Sequence, residues 1–190
     1  KVCRQLHLPI QSGSTPVLKR MNRGYTREEY LEKISLLRGL MPGISLSTDI
    51  IVGFPGETDE EFKETLSLLE EVRYANIFSF RYSPRPLASA SRKKDTVPLL
   101  EKKRRLSAVQ EVQKKVQLEL NSAQVGRVMK VLCLGESKKD PRLYSGRNEG
   151  YQVVNFSSEK DVKGRFVDVR ITSCGPYSLC GKAVSPSQNS

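Results

Sequence analysis

The first half of the sequence alternates between two periodicities of apolar residues. Short stretches in which apolar residues alternate or run together, typical of β-strands, occur at residues 1–10, 44–52 and 76–82. Between them, apolar residues recur every three to four positions, as in amphipathic helices. Thr-x-x-Glu sequences that begin at Thr26 and Thr58 supply capping boxes for two of these helices. The pattern therefore predicts a parallel sheet built from βαβ units.

The second half begins with one long helical segment and then changes to short strands. Residues 98–120 carry a stripe of Leu and Val at helical spacing, and Pro98 stands in the first turn, where its missing N–H costs nothing. From Val125 onward, short apolar segments alternate with turns rich in Gly, Pro, Asn, Asp and Ser. Several short strands over about 60 residues, without a helix between them, predict a small OB-like barrel of five strands.

We therefore expect an α/β protein in four parts: an α/β region at residues 1–97, a connecting helix at 98–121, a barrel domain at 122–185 and a tail at 186–190. The chain begins without Met and opens directly into a predicted strand, so we expect a fragment of a longer protein. Residues 1–14 lack the pattern of a signal peptide. No apolar run reaches the ~18 residues of a transmembrane helix.

Cysteine spacing excludes several classes of site. The four cysteines, Cys3, Cys133, Cys174 and Cys180, form no Cys-x-x-Cys pair, so neither a zinc ribbon nor a thioredoxin-like motif is present. Four cysteines in 190 residues do not form a disulfide framework. We expect reduced thiols in an intracellular, cytoplasmic protein, with an organellar location as the alternative.

Charge is distributed unevenly along the chain. The net charge is +11, and residues 1–90 contribute only +1 of it, whereas residues 91–190 contribute +10. An excess of Lys and Arg favours a polyanionic partner, because each neutralised phosphate releases a counterion. The alternative is a solvated basic face that keeps the protein soluble.

Polar loops follow the predicted strands, at the positions where parallel sheets bind ligands. Gln11–Ser14 (QSGS) could present amides and hydroxyls to a carboxylate or phosphate, or could be an ordinary capped turn. Asp49 lies in an apolar strand and could bind a ligand amine or pair with an Arg. The GFPGET loop from Gly53 to Thr58 is either a ligand loop or a plain turn with Thr58 as the N-cap.

The only histidine, His7, cannot form a metal site by itself, and we interpret it as a strand residue that bonds to a neighbour. The sequence contains no Ser/His/Asp or Cys/His order, no Walker sequence and no Gly-x-Gly-x-x-Gly. Hydrolysis by a nucleophilic side chain and nucleotide hydrolysis therefore lack support.

Taken together, four motifs carry a more specific resemblance. LHLPIQSGS, VLKRMNRGYTREEY, STDIIVGFPGETDEEF and FRYSPRP occur in this order within residues 6–86. They resemble the C-terminal half of a radical S-adenosylmethionine (SAM) barrel, and specifically the MiaB-like methylthiotransferases. The segments GRN, VVNF and GRFVDVRIT of the predicted barrel resemble the TRAM domain of that family.

The family has three branches, which modify isopentenyl-adenosine in tRNA, threonylcarbamoyl-adenosine in tRNA, or an aspartate of a ribosomal protein. LHLP, YSPRP, VVNF and the basic second half favour the first branch. The resemblance implies a tRNA methylthiotransferase that adds a methylthio group to C2 of N6-isopentenyladenosine next to the anticodon. A fragment that only binds RNA is the alternative from another class.

Two departures from the family pattern stand out. The Cys-x-x-x-Cys-x-x-Cys motif that holds the radical SAM [4Fe-4S] cluster is absent, as is the N-terminal domain that holds an auxiliary cluster. We expect both to precede Lys1, so this chain would hold no metal and would be inactive alone. The family's PRPGT is replaced by Pro84-Arg85-Pro86-Leu87-Ala88.

The resemblance also implies residue roles, although it assigns no catalytic residue within this chain. It implies SAM, two [4Fe-4S] clusters and an electron donor for the complete enzyme, with the tRNA anticodon arm as partner and no membrane. The predicted SAM contacts are Gln11, Ser12, Ser14, Asp49, Gly53 and Tyr82.

The predicted RNA contacts lie in the barrel. The basic residues expected to meet phosphates are Arg127, Lys130, Arg147, Lys163, Arg165 and Arg170. The aromatic residues expected to be available for stacking on an unpaired base are Tyr144, Tyr151 and Phe156.

Overall fold

The computed structural model describes residues 3–84 and 95–184. The predictions for Arg85, Pro86 and the residues that follow them, and for the tail at 186–190, lie outside the described residues. The chain divides into two compact units. One comprises Leu6–Val116, and the other holds the chain from Gln117 onward together with the residues before Leu6.

The first unit has the predicted α/β organisation. Both predicted capping boxes are present, since Thr26 and Thr58 each accept a bond from the backbone N–H three residues later, and the glutamates at those positions bond back. The strand expected at residues 1–10 is much shorter. The elements in chain order are β1 (Gln5–His7), α1 (Thr15–Arg20), α2 (Arg27–Leu40), β2 (Ser45–Val52), α3 (Asp59–Val72), β3 (Asn76–Arg81) and α4 (Leu99–Ser122).

The sheet of this unit has the strand order β1-β2-β3, and β2 and β3 run parallel, as predicted. Alternate residues of β2 face the helices, because Leu46, Ile50 and Val52 are almost fully buried. They belong to one core cluster with apolar side chains of all four helices, among them Leu69 of α3 and Val109 of α4. The helical core therefore covers one face of the sheet.

The GFPGET loop is fixed by a buried ion pair. The Glu57 side chain has no exposed surface and accepts bonds from the Gly53 N–H, at 2.6 Å, and from Arg105 of α4, at 2.8 Å. Arg105 also donates to Asp59 and to Glu101. Burial raises the pKa of Glu57, and the bonds from Arg105 and Gly53 oppose that rise. This loop follows β2, so the ion pair holds the end of the central strand against α4.

The second unit is a closed five-stranded barrel with the order β4-β5-β6-β8-β7, which agrees with the predicted small barrel. Val131, Val154, Phe156, Val169 and Leu179 form its fully buried interior. The strands are β4 (Val128–Glu136), β5 (Tyr144–Asn148), β6 (Val153–Ser157), β7 (Phe166–Cys174) and β8 (Leu179–Ala183).

Two glycines allow the strands of the barrel to approach closely. A Cβ at Gly146 would lie 2.3 Å from the carbonyl oxygen of Leu132, and one at Gly181 would lie 2.4 Å from that of Arg170. Any larger residue at these two positions would push the strands apart.

Helix α4 agrees with the connecting helix predicted at 98–121 to within one residue at each end, since it begins at Leu99 and ends at Ser122. The division between the units falls within this helix, between Val116 and Gln117. Asn121 belongs to the barrel unit, where its amide donates to the carbonyls of Gly175 and Pro176. No helix of the described residues has the length and hydrophobicity that a membrane crossing requires.

We expect Arg105→Met to lower the free energy of unfolding by about 3–5 kcal/mol, because it leaves the buried carboxylate of Glu57 without its counter-charge. Arg104→Met is the matched control, since Arg104 bonds to the same two carboxylates, Glu101 and Asp59, from an exposed position. Little change is expected for it. Urea unfolding of both variants measures the difference.

Adding Glu57→Gln to Arg105→Met should restore part of the lost stability, because a neutral amide needs no counter-charge. Equal losses for Arg104→Met and Arg105→Met would show that the ion pair does not hold the loop.

Candidate functional site

The face of the sheet opposite the helical core carries a polar cluster. His7 on β1 lies between two residues of β2: its Nδ1 is 3.0 Å from Ser47 Oγ, and its Nε2 is 3.4 Å from Asp49 Oδ1. The side chains of His7 and Asp49 are 38% and 31% exposed, so both can meet a ligand. The interpretation of His7 as a strand residue bonded to a neighbour agrees with this geometry. The partner of Asp49 is His7, not an Arg.

Two phenylalanines of β3 complete this open face. Phe78 and Phe80 are two residues apart, which places them on the same side of the strand, and about half of each side chain is exposed. The Phe78 ring lies edge-on to His7, with ring centroids 5.7 Å apart. We call His7, Ser47, Asp49, Phe78 and Phe80 the open-face cluster. The alternation in NIFSFRY could have revealed the two aromatics, but our sequence analysis did not use it.

The predicted loop residues Gln11, Ser12 and Ser14 are built into the fold. Gln11 continues the sheet by a parallel bridge to Ile50 and has a positive φ of 77°. Ser12 and Ser14 have no exposed surface, and the Ser12 hydroxyl lies 3.3 Å from Thr65 Oγ1 of α3. The Ser12 hydroxyl therefore supports the loop against α3, whereas the buried Ser14 hydroxyl has no hydrogen-bond partner among the described residues.

Gly53 and Tyr82 lie where β2 and β3 end. The Tyr82 N–H donates to the Val52 carbonyl, which continues the ladder by one residue. Gly53 has a φ of 71°, and a Cβ there would lie 2.4 Å from the Lys102 side chain. Lys102 is buried, forms an ion pair with Asp95 and places its Nζ 5.1 Å from the centre of the Tyr82 ring. The structure brings Gly53 and Tyr82 together around this lysine, whereas Asp49 stands three residues before the end of its strand.

The cysteines do not form a metal site. Cys133 is buried in the barrel, Cys3 is exposed, and Cys174 and Cys180 are partly buried. Over residues 3–84 and 95–184, no group of three His, Cys, Asp or Glu side chains is placed to hold a metal ion.

The predicted RNA contacts lie on the outer surface of the barrel. Lys130, Lys163, Arg165 and Arg170 are exposed, and Arg170 pairs in register with Lys182 of β8. Arg127 is also exposed, and Arg147 is half-buried. No ion pair of the described residues engages any of these six basic residues. They occupy the successive strands β5, β4 and β7 or the turns beside them.

One of the three predicted stacking residues, Phe156, was wrong, because it is fully buried in the barrel. Tyr144 is partly buried and stacks on Phe156, at 6.0 Å between ring centroids. Tyr151 is exposed but lies against the Arg147 guanidinium, 4.5 Å from its ring centre. An aromatic that we did not predict, Phe166, faces outward and is 70% exposed. The alternation in GRFVDVRIT carried this signal, because Val167, Val169 and Ile171 point inward.

The sequence analysis compared residues 1–90 with residues 91–190 and assigned nearly all of the excess positive charge to the second half. Less of that charge lies in the barrel than this comparison indicated. Residues 117–190 hold 11 Lys and Arg against 7 Asp and Glu, a net of +4, while residues 91–116 carry +6. In that second segment Lys102 and Arg105 are buried and paired. The barrel therefore has only a moderate positive charge. Any attraction of a polyanion to the barrel would depend more on where the basic residues of the barrel lie than on how many there are.

Comparison with known proteins agrees with the resemblance stated from the motifs. A family model described as the radical SAM superfamily matches residues 1–69, and one described as the TRAM domain matches residues 122–184.

Curated relatives match nearly the whole chain. The tRNA-2-methylthio-N(6)-dimethylallyladenosine synthase of Geobacter sulfurreducens is 49% identical over 97% of this chain and 41% of the relative, and that of Geobacter metallireducens is 50% identical over 96% and 41%. The synthase of Acetivibrio thermocellus is 44% identical over 97% of the chain and 38% of the relative. The chain thus spans about two fifths of the length of these relatives, and it belongs to the radical SAM superfamily, with a TRAM domain after the radical SAM segment.

Proposed function

We propose that this chain is the C-terminal part of a tRNA methylthiotransferase, which replaces the hydrogen on C2 of N6-isopentenyladenosine next to the anticodon by a methylthio group in the cytoplasm. The observation that carries the proposal is the continuity of the similarity. Eight synthases named for this modification are 44–50% identical to 95–97% of the chain, across both units.

The two units supply different parts of this function. The open-face cluster offers a carboxylate beside two exposed aromatics, which suits a ligand with an ammonium group and a flat base, such as SAM. When bound, SAM supplies the methyl group and the radical chemistry. The barrel surface offers unpaired basic side chains for RNA phosphates.

The four cysteines do not fit an iron–sulfur cluster, because they are dispersed over the chain and one of them is buried in the barrel. In the proposed enzyme the ligands of both clusters therefore lie outside this chain. The part played by this chain is to position the ligands and to exclude water around them.

The proposal is tested with a full-length protein that carries this chain. Incubated without oxygen with SAM, a reductant and tRNA containing N6-isopentenyladenosine, it should form the 2-methylthio nucleoside, detected by mass spectrometry of digested tRNA. Product on threonylcarbamoyl-adenosine alone, or on a ribosomal protein, would contradict the proposed substrate.

The 190-residue chain by itself should not assemble a [4Fe-4S] cluster, because it lacks three thiolates at ligand spacing. The measurement is iron and sulfide content after anaerobic reconstitution and gel filtration. About four irons per chain that survive filtration would show that this chain holds a cluster.

In the full-length protein, Asp49→Ala should weaken SAM binding by about 10- to 150-fold, because a charge-assisted bond contributes about 1.5–3 kcal/mol. RNA binding should not change, since Asp49 lies in the sheet unit. Glu32→Ala removes an exposed carboxylate from α2 and is the matched control. Isothermal titration with SAM and a gel-shift assay with tRNA measure the two affinities.

The variant Ser12→Ala tests whether Ser12 supports the loop or contacts SAM directly. Because Ser12 is buried against Thr65, this variant should lose stability, and its SAM affinity should fall less than that of Asp49→Ala. Equal loss of SAM and tRNA binding in Asp49→Ala would remove Asp49 from the proposed SAM site.

Binding of the chain to an anticodon stem-loop should weaken steeply with salt, with a slope of log K against log salt of roughly −0.7 to −0.9 per phosphate contact. Replacing Arg165 and Arg170 with Gln should flatten the slope by about 2. Replacing Lys138 and Arg142 removes the same charge from the exposed segment between β4 and β5, and should leave the slope nearly unchanged. An unchanged slope in the Arg165 and Arg170 double variant would mean that these two residues form only a solvated face.

A further inference from the structure

A cleft opens on the outside of the barrel between β6, β8 and the start of β7, and one of the six predicted RNA contacts, Arg165, lines it. Its volume is about 500 Å³, and it is lined by residues 157–160, Val162, residues 165–168 and residues 182–184 at the end of β8. Strand β8 pairs with β6 on one side and with β7 on the other, so it lies between the two other strands that contribute to the cleft. All of these residues belong to the barrel unit.

The cleft combines an apolar surface with charges of both signs. Phe166, at the start of β7, presents most of its ring to the solvent, and Val162, Val167 and Ala183 extend the apolar lining. The basic lining residues are Lys160, Arg165 and Lys182, and the acidic ones are Glu159 and Asp168.

This combination matches a nucleotide better than a simple anion. A base can stack on an exposed aromatic ring, and adjacent Arg and Lys side chains can meet its phosphates. The carboxylate of Asp168 would repel inorganic phosphate but can accept hydrogen bonds from the N–H groups at the edge of a base. The volume is within the range of small-ligand sites, and it suits one nucleotide rather than a duplex.

We propose that this cleft binds one unpaired nucleotide of the RNA, with its base stacked on Phe166 and its phosphate at Arg165 and Lys182. The proposal rests on the proposed function in that it takes RNA to be the partner of the barrel. It adds a site that distinguishes a looped-out base from a paired one, because a base within a helix cannot reach the Phe166 ring.

The test compares Phe166→Ala with Tyr177→Ala, since Tyr177 is equally exposed on the same unit and does not line the cleft. The probes are a fluorescent anticodon stem-loop, an unstructured decanucleotide and a fully paired RNA duplex, each titrated with the 190-residue chain. Phe166→Ala should weaken binding of the first two about 5- to 150-fold, which corresponds to about 1–3 kcal/mol for one stacked base. It should leave the salt slope and the affinity for the duplex unchanged.

Two further variants separate stacking from folding and from charge. Phe166→Trp should retain the affinity, because it keeps a flat aromatic ring. Lys182→Gln should flatten the salt slope by about 1. Circular dichroism melting of each variant verifies that the barrel remains folded, and photo-crosslinking of a decanucleotide with 5-iodouridine should label Phe166 in the wild-type chain.

The outcomes distinguish this site from the proposed function. If the chain binds the stem-loop but Phe166→Ala behaves like Tyr177→Ala, the cleft is not the nucleotide site and the proposed function stands. If the chain binds the decanucleotide through Phe166 but shows no affinity for the stem-loop, the cleft site is supported and the proposed tRNA partner is overturned. Equal weakening on the duplex and the stem-loop would also overturn the proposal for an unpaired base.

Discussion

The helices cover only one face of the sheet formed by β1, β2 and β3, and the other features of the first unit depend on this one-sided burial. Leu46, Ile50 and Val52 are buried on the covered side, so the intervening residues of β2 must point to the other side. That geometry places Asp49 beside His7, and it leaves Phe78 and Phe80 about half exposed. An aromatic surface of this kind beside a carboxylate is typical of a place where a ligand or another part of a protein binds.

The strand ends are held by contacts that do not themselves face a ligand. Glu57 bonds to the Gly53 N–H and to Arg105, and Ser12 bonds to Thr65. A buried carboxylate without a partner costs several kcal/mol of stability, so any movement of the loop that separated Glu57 from Arg105 would be unfavourable. The pair therefore fixes the loop after β2 more firmly than contacts with solvent would fix an exposed turn. The residues around the open face are therefore positioned by a rigid frame, which is what a site needs when a cofactor carries the chemistry.

The barrel keeps its interior apolar and presents charged side chains on its outer surface. Alternation along β7 does both: Val167, Val169 and Ile171 fill the interior, while Phe166, Asp168 and Arg170 face outward. Closure of the five strands leaves no long unpaired edge among them, so the outer surface is free to carry a cleft. In the proposed nucleotide site, the aromatic in that cleft, rather than the moderate net charge, would select an unpaired base.

Local sequence determined the elements, because capping boxes, apolar periodicity and turn residues act over only a few positions. The boxes at Thr26 and Thr58, the parallel sheet and the five-stranded barrel were all predicted in this way, and the ordered motifs identified the family.

The tertiary structure decided which side chains contact one another. The pairing of His7 with Asp49, 42 positions away, depends on the register of two strands, and the burial of Ser12 depends on how α3 packs against the loop. The alternation of apolar and polar residues was sufficient to predict that the Phe156 side chain points into the barrel and the Phe166 side chain points outward. The cleft beside Phe166 could not be predicted in this way, because it forms only where β6, β7 and β8 come together. Contacts between residues distant in the chain are set by packing of the whole unit, and no local pattern contains them.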